Sequence, residues 1–325
     1  MAKILPPEQA LEDALDILRS GEPVAIPTET VYGLAADATN GEAVARIFEV
    51  KGRPRFNPLI VHVADMEMAH RIAVFDEISL TLAQKFWPGP LTLVLPLREG
   101  HGVHGLVSAG LETVALRMPR GFASQLIQRL GRPLAAPSAN SSGKISGTTA
   151  QAVNADLGGK IKLVVDGGPA DVGVESTIAK VTPEGVRILR PGSVTAGDLE
   201  ALTGLAVLRG GTKGIEAPGM MLSHYAPDAR VRLDATELRE GEALLAFGPS
   251  RIAGAGTALA MLNLSEHGSL REAAANLYSH LQALDRSGAS VIAVEPLPQE
   301  GLGEAINDRL RRAAAPRGNE SGSQQ

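Results

Sequence analysis

Five short polar motifs, each beside an apolar run typical of a β-strand, carry the side chains of this sequence that are best suited to chemistry. They combine lysine and arginine with small hydroxyl and amide side chains, and in chain order they occupy residues 27–34, 51–58, 113–117, 137–140 and 173–177. Cations and small polar groups at strand ends are what a site for anionic, phosphate-bearing substrates requires. The motifs therefore indicate an enzyme that handles a nucleotide and a second acid.

The second motif places three cations, Lys51, Arg53 and Arg55, close together just before a predicted strand. A lone basic cluster of this kind is most often a solvated turn. Here Pro54 and Pro58 rigidify the turn and fix where the cations point. A contact between such a charge and a phosphate contributes about 1.5–3 kcal/mol. Three converging cations could therefore hold a triphosphate.

The fourth motif places Ser138 and Asn140 between a proline and a run of glycine and serine. Taken alone, this pattern is typical of an ordinary Asx or Ser turn. The small residues beside it would also let backbone amides approach an anion closely. The sequence contains neither a P-loop nor a dinucleotide-binding fingerprint after its first predicted strand, so a nucleotide would have to be bound by another arrangement.

Several further polar residues allow more than one interpretation. Arg117 lies on an otherwise apolar strand, where it needs either a structural carboxylate or an anionic ligand as its partner. His62 interrupts an apolar strand over 59–63 and is either a core histidine or a ligand contact. Glu29 is a candidate base, Mg²⁺ ligand or acidic turn residue. Tyr225 could form a lid over a site or pack the chain around it.

The composition is that of an ordinary globular chain, long enough at 325 residues for two domains. Aromatic residues make up 3% of the chain, so the cores must be aliphatic. The net charge of −5 argues against broad nucleic-acid binding, and any tRNA contact is expected to be weak. The lack of cysteine excludes disulfides, thiolate metal sites and a cysteine nucleophile. Without an apolar signal segment or a run long enough to span a bilayer, a cytoplasmic enzyme with no membrane contact is expected.

Alternating helical and strand-like segments indicate an α/β fold. The later strands follow one another closely, so we expect a twisted mixed sheet flanked by helices. The sequence then becomes rich in glycine and proline over residues 204–228, before a smaller α/β pattern begins. We predict a catalytic domain at 1–203, a linker or lid at 204–228, a small Rossmann-like α/β domain at 229–315 and a disordered tail at 316–325.

Together the motifs resemble the L-threonylcarbamoyladenylate synthase family in its two-domain form, which has a YrdC-like catalytic domain and a smaller C-terminal domain. The resemblance runs closely through residues 7–228 and rests on several independent motifs in the family's order. These are residues 27–34, 51–63, 86–95, 113–119, 137–140, 165–178 and 188–192, with 218–220 and 224–227 similar to the linker of the two-domain form.

This resemblance implies a nucleotidyltransferase that makes L-threonylcarbamoyl-AMP and pyrophosphate from L-threonine, bicarbonate and ATP. Mg²⁺ would accompany ATP, with few protein ligands expected. The product would pass to a separate threonylcarbamoyl transferase complex that modifies an adenosine of tRNA. Such chemistry needs no protein nucleophile, because the protein mainly neutralises and aligns two anions.

The resemblance also implies roles for individual residues. The family's signature tetrad corresponds to Lys51, Arg53, Ser138 and Asn140. Threonine would be held by Thr30, His62, Arg117, Ser138 and Ser176, with Arg117 facing the substrate carboxylate. ATP would be bound by Arg53, Asn57, Thr113, Asn140, Thr148, Arg190 and Tyr225.

The sequence departs from the family at one nucleotide-binding stretch, because Ser146-Gly147-Thr148 stands where many members carry Ser-Pro-Thr. Two other functions are compatible with this type of fold. An RNA-binding or ribosome-maturation factor is opposed by the acidic net charge and the few aromatic residues. A carbamoyltransferase module of the hydrogenase-maturation type would carry cysteine-based zinc fingers, which this chain lacks.

Overall fold

A large mixed β-sheet is the framework of the first two-thirds of the chain. The computed structural model describes residues 1–210, 216–217 and 224–316. Eleven strands lie in the order β1-β8-β2-β3-β7-β4-β6-β5-β9-β10-β11. They are β1 (Lys3–Leu5), β2 (Val24–Ile26), β3 (Gly33–Asp37), β4 (Ile60–His62), β5 (Leu91–Pro96), β6 (Thr113–Arg117), β7 (Leu134–Ala135), β8 (Leu163–Val165), β9 (Thr177–Thr182), β10 (Gly185–Arg190) and β11 (Val207–Arg209).

Helices flank this sheet, and an aliphatic core fills the space between them. The helices of this part of the chain are α1 (Pro7–Arg19), α2 (Gly41–Lys51), α3 (Met66–Ile72), α4 (Glu77–Phe86), α5 (Gly105–Ser108), α6 (Phe122–Leu130), α7 (Ala150–Leu157) and α8 (Ala196–Thr203). Parallel pairs such as β4 with β6 alternate with antiparallel pairs such as β5 with β6. The predicted mixed sheet is confirmed.

A second, smaller sheet with its own core follows. Its strands are all parallel and lie in the order β12-β15-β13-β14. They are β12 (Arg230–Arg232), β13 (Ala243–Ala246), β14 (Met261–Asn263) and β15 (Val291–Val294), accompanied by a 3₁₀ turn (Ala255–Thr257) and by the helices α9 (Leu270–Asp285) and α10 (Leu302–Ala314). This confirms the predicted smaller α/β domain, called the second domain below.

The proposed domain boundaries remain predictions. Strand β11 lies within the predicted linker, 204–228, and pairs with β10 at the edge of the large sheet. Residues 211–215 and 218–223 of that segment lie outside the described residues, and so does the predicted tail apart from Pro316. Within the described ranges, no helix combines the length and apolar character needed to cross a membrane.

Helix α2 carries the first cation of the second motif to its place. Asn40 caps the start of the helix by accepting hydrogen bonds from the amides of Glu42 and Ala43, a contribution of about 1 kcal/mol. One face of α2 is buried in the core. The helix ends at Lys51 because Gly52 follows with φ 61°, a left-handed conformation that glycine adopts without strain. Lys51 therefore leaves the helix at a fixed angle and points inward.

Two of the motifs lie side by side between α2 and the sheet. The amide of Leu34 donates to the carbonyl of Pro137 at 2.8 Å, and the amide of Ala139 donates to the carbonyl of Tyr32 at 2.7 Å. On the next part of the sheet, His62 at the end of β4 is the register partner of Arg117 at the end of β6. The topology thus brings four of the five motifs to the central strands of the large sheet, where their side chains meet over one face.

Candidate active site

A cavity of about 40 Å³ lies over this face of the large sheet. Eight of the predicted site residues line it: Thr30, Arg53, His62, Arg117, Ser138, Ser176, Arg190 and Tyr225. These residues come from segments spread over almost 200 positions of sequence, from the loop after β2 to the segment that precedes β12. The fold therefore assembles most of the predicted residues around one space.

Arg117 is buried and held from three sides. Its Nε donates to the carbonyl of Gly89 at 3.1 Å, its Nη1 donates to the hydroxyl of Thr30 at 2.8 Å, and its Nη2 forms an ion pair with Glu29 at 2.7 Å. A guanidinium has five N–H donors, so these contacts leave one donor on each terminal nitrogen. Because Arg117 lines the cavity, these donors are available to an anionic group there, such as a carboxylate. Arg117 thus has its structural partner and retains capacity for an anionic ligand.

Glu29 is ionised by this arrangement. Burial alone would raise the pKa of its carboxyl, but the charge and hydrogen bond of Arg117 hold the pKa below its usual value. The backbone amide of Arg120 also donates to this carboxylate at 3.2 Å. The structure gives Glu29 a role outside its three interpretations, as the ion-pair partner of Arg117, and a carboxylate engaged in this way is poorly suited to act as a base.

His62 lies beside Arg117 and is 2% exposed. Burial, helped by the charge of Arg117, lowers the pKa of its imidazole well below the usual value, so the ring is neutral. Within the described part of the chain its Nδ1 has no hydrogen-bond partner. A neutral imidazole with an unsatisfied nitrogen at a polar cavity is suited to bind a hydroxyl or amine group of a ligand.

Lys51 joins the second and fourth motifs. Its Nζ donates to the carbonyl of Ser138 at 2.6 Å and to the carbonyl of Asn140. The side chain of Asn140 donates to the carbonyls of Ser141 and Lys144, and its Oδ1 has no hydrogen-bond partner among the described residues. Lys51 and Asn140 therefore stand directly behind Ser138 rather than on the cavity surface.

Arg53 and Arg190 are also buried cations. Arg53 donates to the carbonyls of Asn57 and Pro58, whereas Arg190 donates to the carbonyl and the hydroxyl of Ser176 at 3.1 Å each. Neither forms an ion pair with a carboxylate in the described ranges, and the same holds for Lys51.

The pKa values of these three cations reflect the same lack of paired carboxylates. Burial lowers the pKa of Arg53 to about 10 and lowers the pKa values of Arg190 and Lys51 below their usual ranges. A buried cation is costly unless it is paired. Arg53 and Arg190 line the cavity and Lys51 lies behind Ser138, so the charge of this region is suited to a polyanion.

The remaining predicted nucleotide residues do not line this cavity. Asn57 is buried behind Arg53, and the carbonyl of Asn57 accepts a hydrogen bond from Nε of Arg53. Thr148 is buried, and its carbonyl accepts from the amide of Ala170. Thr113 begins β6, about 13 Å along the strand from Arg117 at the rise of an extended chain. Its side chain points to the same face as Arg117, because alternate residues of a strand share a face.

Tyr225 and His224 reach the cavity from the side of the second domain. Their rings are 4.1 Å apart, and Tyr225 is buried with φ 62°, an uncommon conformation for a residue with a side chain. Burial lowers the pKa of His224 to about 3, so this ring is neutral. The pair packs as part of the cavity wall.

Glu175 lines the cavity and was not predicted as a site residue. Its carboxylate accepts from the hydroxyl of Ser146 at 2.6 Å, from the hydroxyl of Tyr278 at 2.9 Å and from Nε of Arg309 at 2.8 Å. The available signal was a lone acidic residue next to Ser176 in the fifth motif, but its partners lie far away in sequence. Ser146, at the stretch that departs from the family, is used here to hold Glu175.

Glu175 should make the folded chain sensitive to acid. Burial alone would raise its pKa, but the charges of Arg309 and Arg190 and the hydrogen bonds of Ser146 and Arg309 hold the pKa at about 2, below the ordinary value of 4.5. A depressed folded-state pKa contributes stability that is present above pH 4.5 and lost as the pH falls toward 2.

We therefore expect Glu175→Gln to flatten the loss of unfolding free energy between pH 4.5 and 2, measured by urea denaturation at a series of pH values. Asp285→Asn is a suitable comparison, because Asp285 caps the backbone amides of Asp228 and Ala229 away from the cavity. An unchanged slope in Glu175→Gln would show that this carboxylate is not the acid-sensitive group.

The cavity does not supply a set of protein ligands for a metal ion. No group of three or more histidine, aspartate or glutamate side chains suited to a metal occurs within the described ranges. The two carboxylates nearest the cavity, Glu29 and Glu175, are each already paired with an arginine. The protein residues present therefore do not fit a metal site of their own.

Two family models match the chain and together cover most of it. The Sua5–YciO–YrdC family model, described as telomere recombination, matches residues 16–192. The model described as threonylcarbamoyl-AMP synthase, C-terminal domain, matches residues 194–315.

Whole-chain relatives agree with these matches. Threonylcarbamoyl-AMP synthases of Pyrococcus abyssi and Bacillus subtilis are each 41% identical over 94% of this chain, covering 94% and 93% of their own lengths. The crystal structure of P. abyssi Sua5 complexed with L-threonine superposes with a TM-score of 0.87 at 37% identity, covering 96% of this chain and 98% of that one. The similarity thus extends through both domains.

Proposed function

Because the chain belongs to the threonylcarbamoyl-AMP synthase family of enzymes, we propose that it combines L-threonine, bicarbonate and ATP to form L-threonylcarbamoyl-AMP and pyrophosphate. The observation that carries this proposal is the group of three buried cations, Lys51, Arg53 and Arg190, which lack carboxylate partners among the described residues. Arg53 and Arg190 line one cavity, and Lys51 lies directly behind Ser138 in its wall. The L-threonine complex of the P. abyssi relative supports threonine as the second substrate.

Threonine is assigned to the side of the cavity where Arg117 lies. The two remaining donors of Arg117 would bind the substrate carboxylate, and Thr30 is held in place by the same guanidinium. The neutral ring of His62 and the hydroxyl of Ser176, which also pairs with the hydroxyl of Thr92 at 2.7 Å, are assigned to the amine and hydroxyl of threonine. Because His62 is uncharged, it does not repel the substrate ammonium group.

The reaction consists of two steps that the site can align. Once the threonine ammonium has released a proton to solvent, its neutral amine attacks the carbon of bicarbonate and forms a C–N bond. The C–O bond to the bicarbonate hydroxyl breaks, and water leaves with one proton of the amine, so that a carbamate remains. A carbamate oxygen then attacks the α-phosphorus of ATP, and the bond from this phosphorus to the bridging oxygen breaks so that pyrophosphate leaves. Both reacting partners are anions, so Lys51, Arg53 and Arg190 would lower the barrier by neutralising the charge that separates them.

The nucleotide is assigned to the face of the sheet that runs from Arg117 toward Thr113. Ile60 and Ala115 are register partners on this face and give it an apolar surface suited to a nucleoside. Ala217 packs against the same surface, so a nucleoside bound there would displace it. Asn57, Asn140, Thr148 and Tyr225 are kept as predicted nucleotide contacts.

Mg²⁺ is proposed to arrive with ATP, because triphosphate oxygens and water satisfy this ion without a protein cage. The product would be consumed by a separate threonylcarbamoyl transferase that acts on tRNA, which is consistent with a chain that touches RNA weakly at most. The cytoplasm is the location proposed for this sequence of reactions.

The test is pyrophosphate release measured with each substrate omitted in turn. We expect release only when L-threonine, bicarbonate and ATP are all present. Equal release without threonine would contradict the proposal. Tight RNA binding without ATP cleavage would favour the RNA-binding alternative instead.

A further inference from the structure

The second domain supplies side chains to a buried network at the cavity. Glu175, which belongs to the catalytic domain, accepts hydrogen bonds from Tyr278 on α9 and Arg309 on α10. Arg309 is fully buried, and its ion pair with Glu175 joins residues 134 positions apart. A network buried between two domains in this way links the geometry of one to the presence of the other.

Arg309 contacts the neighbours of two residues to which substrate contacts are assigned, and it contacts a third such residue directly. Its Nη1 donates at 2.8 Å to the carbonyl of Pro191, which follows Arg190. Its Nε binds Glu175, which precedes Ser176. Its guanidinium carbon lies 5.5 Å from the centre of the Tyr225 ring, a cation–π distance. One guanidinium thus touches the segments that bring Ser176, Arg190 and Tyr225 to the cavity.

The backbone also locks the fifth motif against the second domain. Gly173 begins this motif with φ 77°, and a Cβ built there would lie 2.3 Å from the carbonyl oxygen of Ala274 on α9. Only glycine allows this approach, so the loop that carries Glu175 and Ser176 rests directly on the helix. The loop therefore cannot shift without moving α9 as well.

We propose that Arg309, supported by Tyr278, is a positioning residue of the active site, and that the second domain completes that site by fixing Ser176, Arg190 and Tyr225. This inference rests on the proposed function for the identity of the substrates. Arg309 itself does not line the cavity. It acts through Glu175, Pro191 and Tyr225, and its Nη1 is oriented further by Asp308 at 2.9 Å.

A merely structural ion pair and a positioning residue make different predictions. Removing Arg309 leaves Glu175 as a lone buried charge, which destabilises any protein whatever the site does. Removing both charges together relieves this penalty. If Arg309 only balances charge, the double variant regains stability and activity together. If Arg309 positions the site, the double variant regains stability alone.

The experiment compares Arg309→Met, Arg309→Lys and the double variant Glu175→Gln/Arg309→Met in the full chain. For each, kcat and KM for threonine and ATP are measured together with the melting temperature. Arg251→Met is the matched control, because Arg251 forms an ion pair with the buried Glu295 at 2.6 Å inside the second domain and away from the cavity.

We expect Arg309→Met to lower kcat/KM by about 100-fold, the loss typical of misplaced reacting groups, with higher KM values for both substrates. Arg309→Lys keeps the charge without the fork and should fall between this variant and the wild type. The double variant should melt near the wild-type temperature and keep the kinetic defect. Arg251→Met should lose stability with kcat/KM unchanged.

Full activity in the double variant would overturn the inference, and so would wild-type kinetics in Arg309→Met. If Arg309→Met does not fold, the lysine and double variants decide the question. Calorimetric titration with L-threonine and with a non-hydrolysable ATP analogue separates this inference from the proposed function. A wild-type chain that forms no adenylate contradicts the function, whereas equal ligand affinities in the wild type and the double variant contradict the positioning role.

Discussion

Replacing Arg117 by alanine should lower kcat/KM for L-threonine by about a thousandfold, whereas the KM for ATP should change by less than about threefold. The loss is large because the substrate carboxylate would enter a buried site without the fork of donors that binds it. The guanidinium also holds Thr30 at 2.8 Å, so the same change releases a second assigned threonine contact. Initial rates of pyrophosphate release at varied threonine and varied ATP measure the two effects.

The alanine variant also leaves Glu29 as a buried charge without its ion-pair partner, which costs about 3–5 kcal/mol of stability. The double variant Arg117→Ala/Glu29→Gln removes that charge and keeps the kinetic test valid. Arg132→Ala is the matched control, because it removes the arginine that pairs with the buried carboxylate of Asp37. Neither Arg132 nor Asp37 lines the cavity. A threonine KM that stays at the wild-type value in the double variant would rule out the role assigned to Arg117.

Lys51→Met should lower kcat by about 100- to 1000-fold, the usual effect of removing one donor that stabilises charge in a site sheltered from water. Lys51 is 3% exposed and has no carboxylate partner in the described part of the chain, so its charge would act on the carbamate or the phosphates from behind Ser138. Methionine keeps the length and apolar character of the stem. Single-turnover measurement with saturating substrates isolates the chemical step.

Lys160→Met provides the comparison for Lys51. Lys160 donates to the carbonyl of Val50 at 3.2 Å, so it also contacts the end of α2, but its side chain is exposed. We expect kcat of this variant within about twofold of the wild type, as for an ordinary surface substitution. Equal kcat values in the two variants would remove Lys51 from the proposed chemistry.

Local patterns in the sequence were sufficient to predict the fold class. The apolar spacing of Leu11, Ala14, Leu15 and Leu18 within residues 8–19 predicts α1, and all four pack on the core, Leu11 only partly buried. Strand β3 was missed, because its sequence Gly-Leu-Ala-Ala-Asp has low strand propensity and is buried on both faces. Hydrogen-bonded pairing with β2 and β7 stabilises this strand where its local sequence does not.

One part of the candidate site could likewise be predicted from the sequence, and another part could not. The family resemblance, carried by motifs in order, is confirmed by the comparisons, and the cavity brings together residues from all five motifs. The contacts that fix these residues could not be read from the sequence. Lys51 and Asn140 are 89 positions apart, Arg117 and Thr30 are 87 apart, and Glu175 and Arg309 are 134 apart. Such pairs depend on the tertiary fold and on a second domain whose own motifs carry no chemical signature.

The central claim is that buried cations from distant segments let the carbamate of threonine meet ATP in one cavity. Mass spectrometry of the reaction mixture with ¹³C-bicarbonate tests it most directly. The account predicts an adenylate that contains threonine and one labelled carbon, formed by the wild-type chain and not by Arg117→Ala/Glu29→Gln. Cleavage of ATP to AMP or ADP with no labelled adenylate, or the labelled product at wild-type yield from that variant, would contradict it.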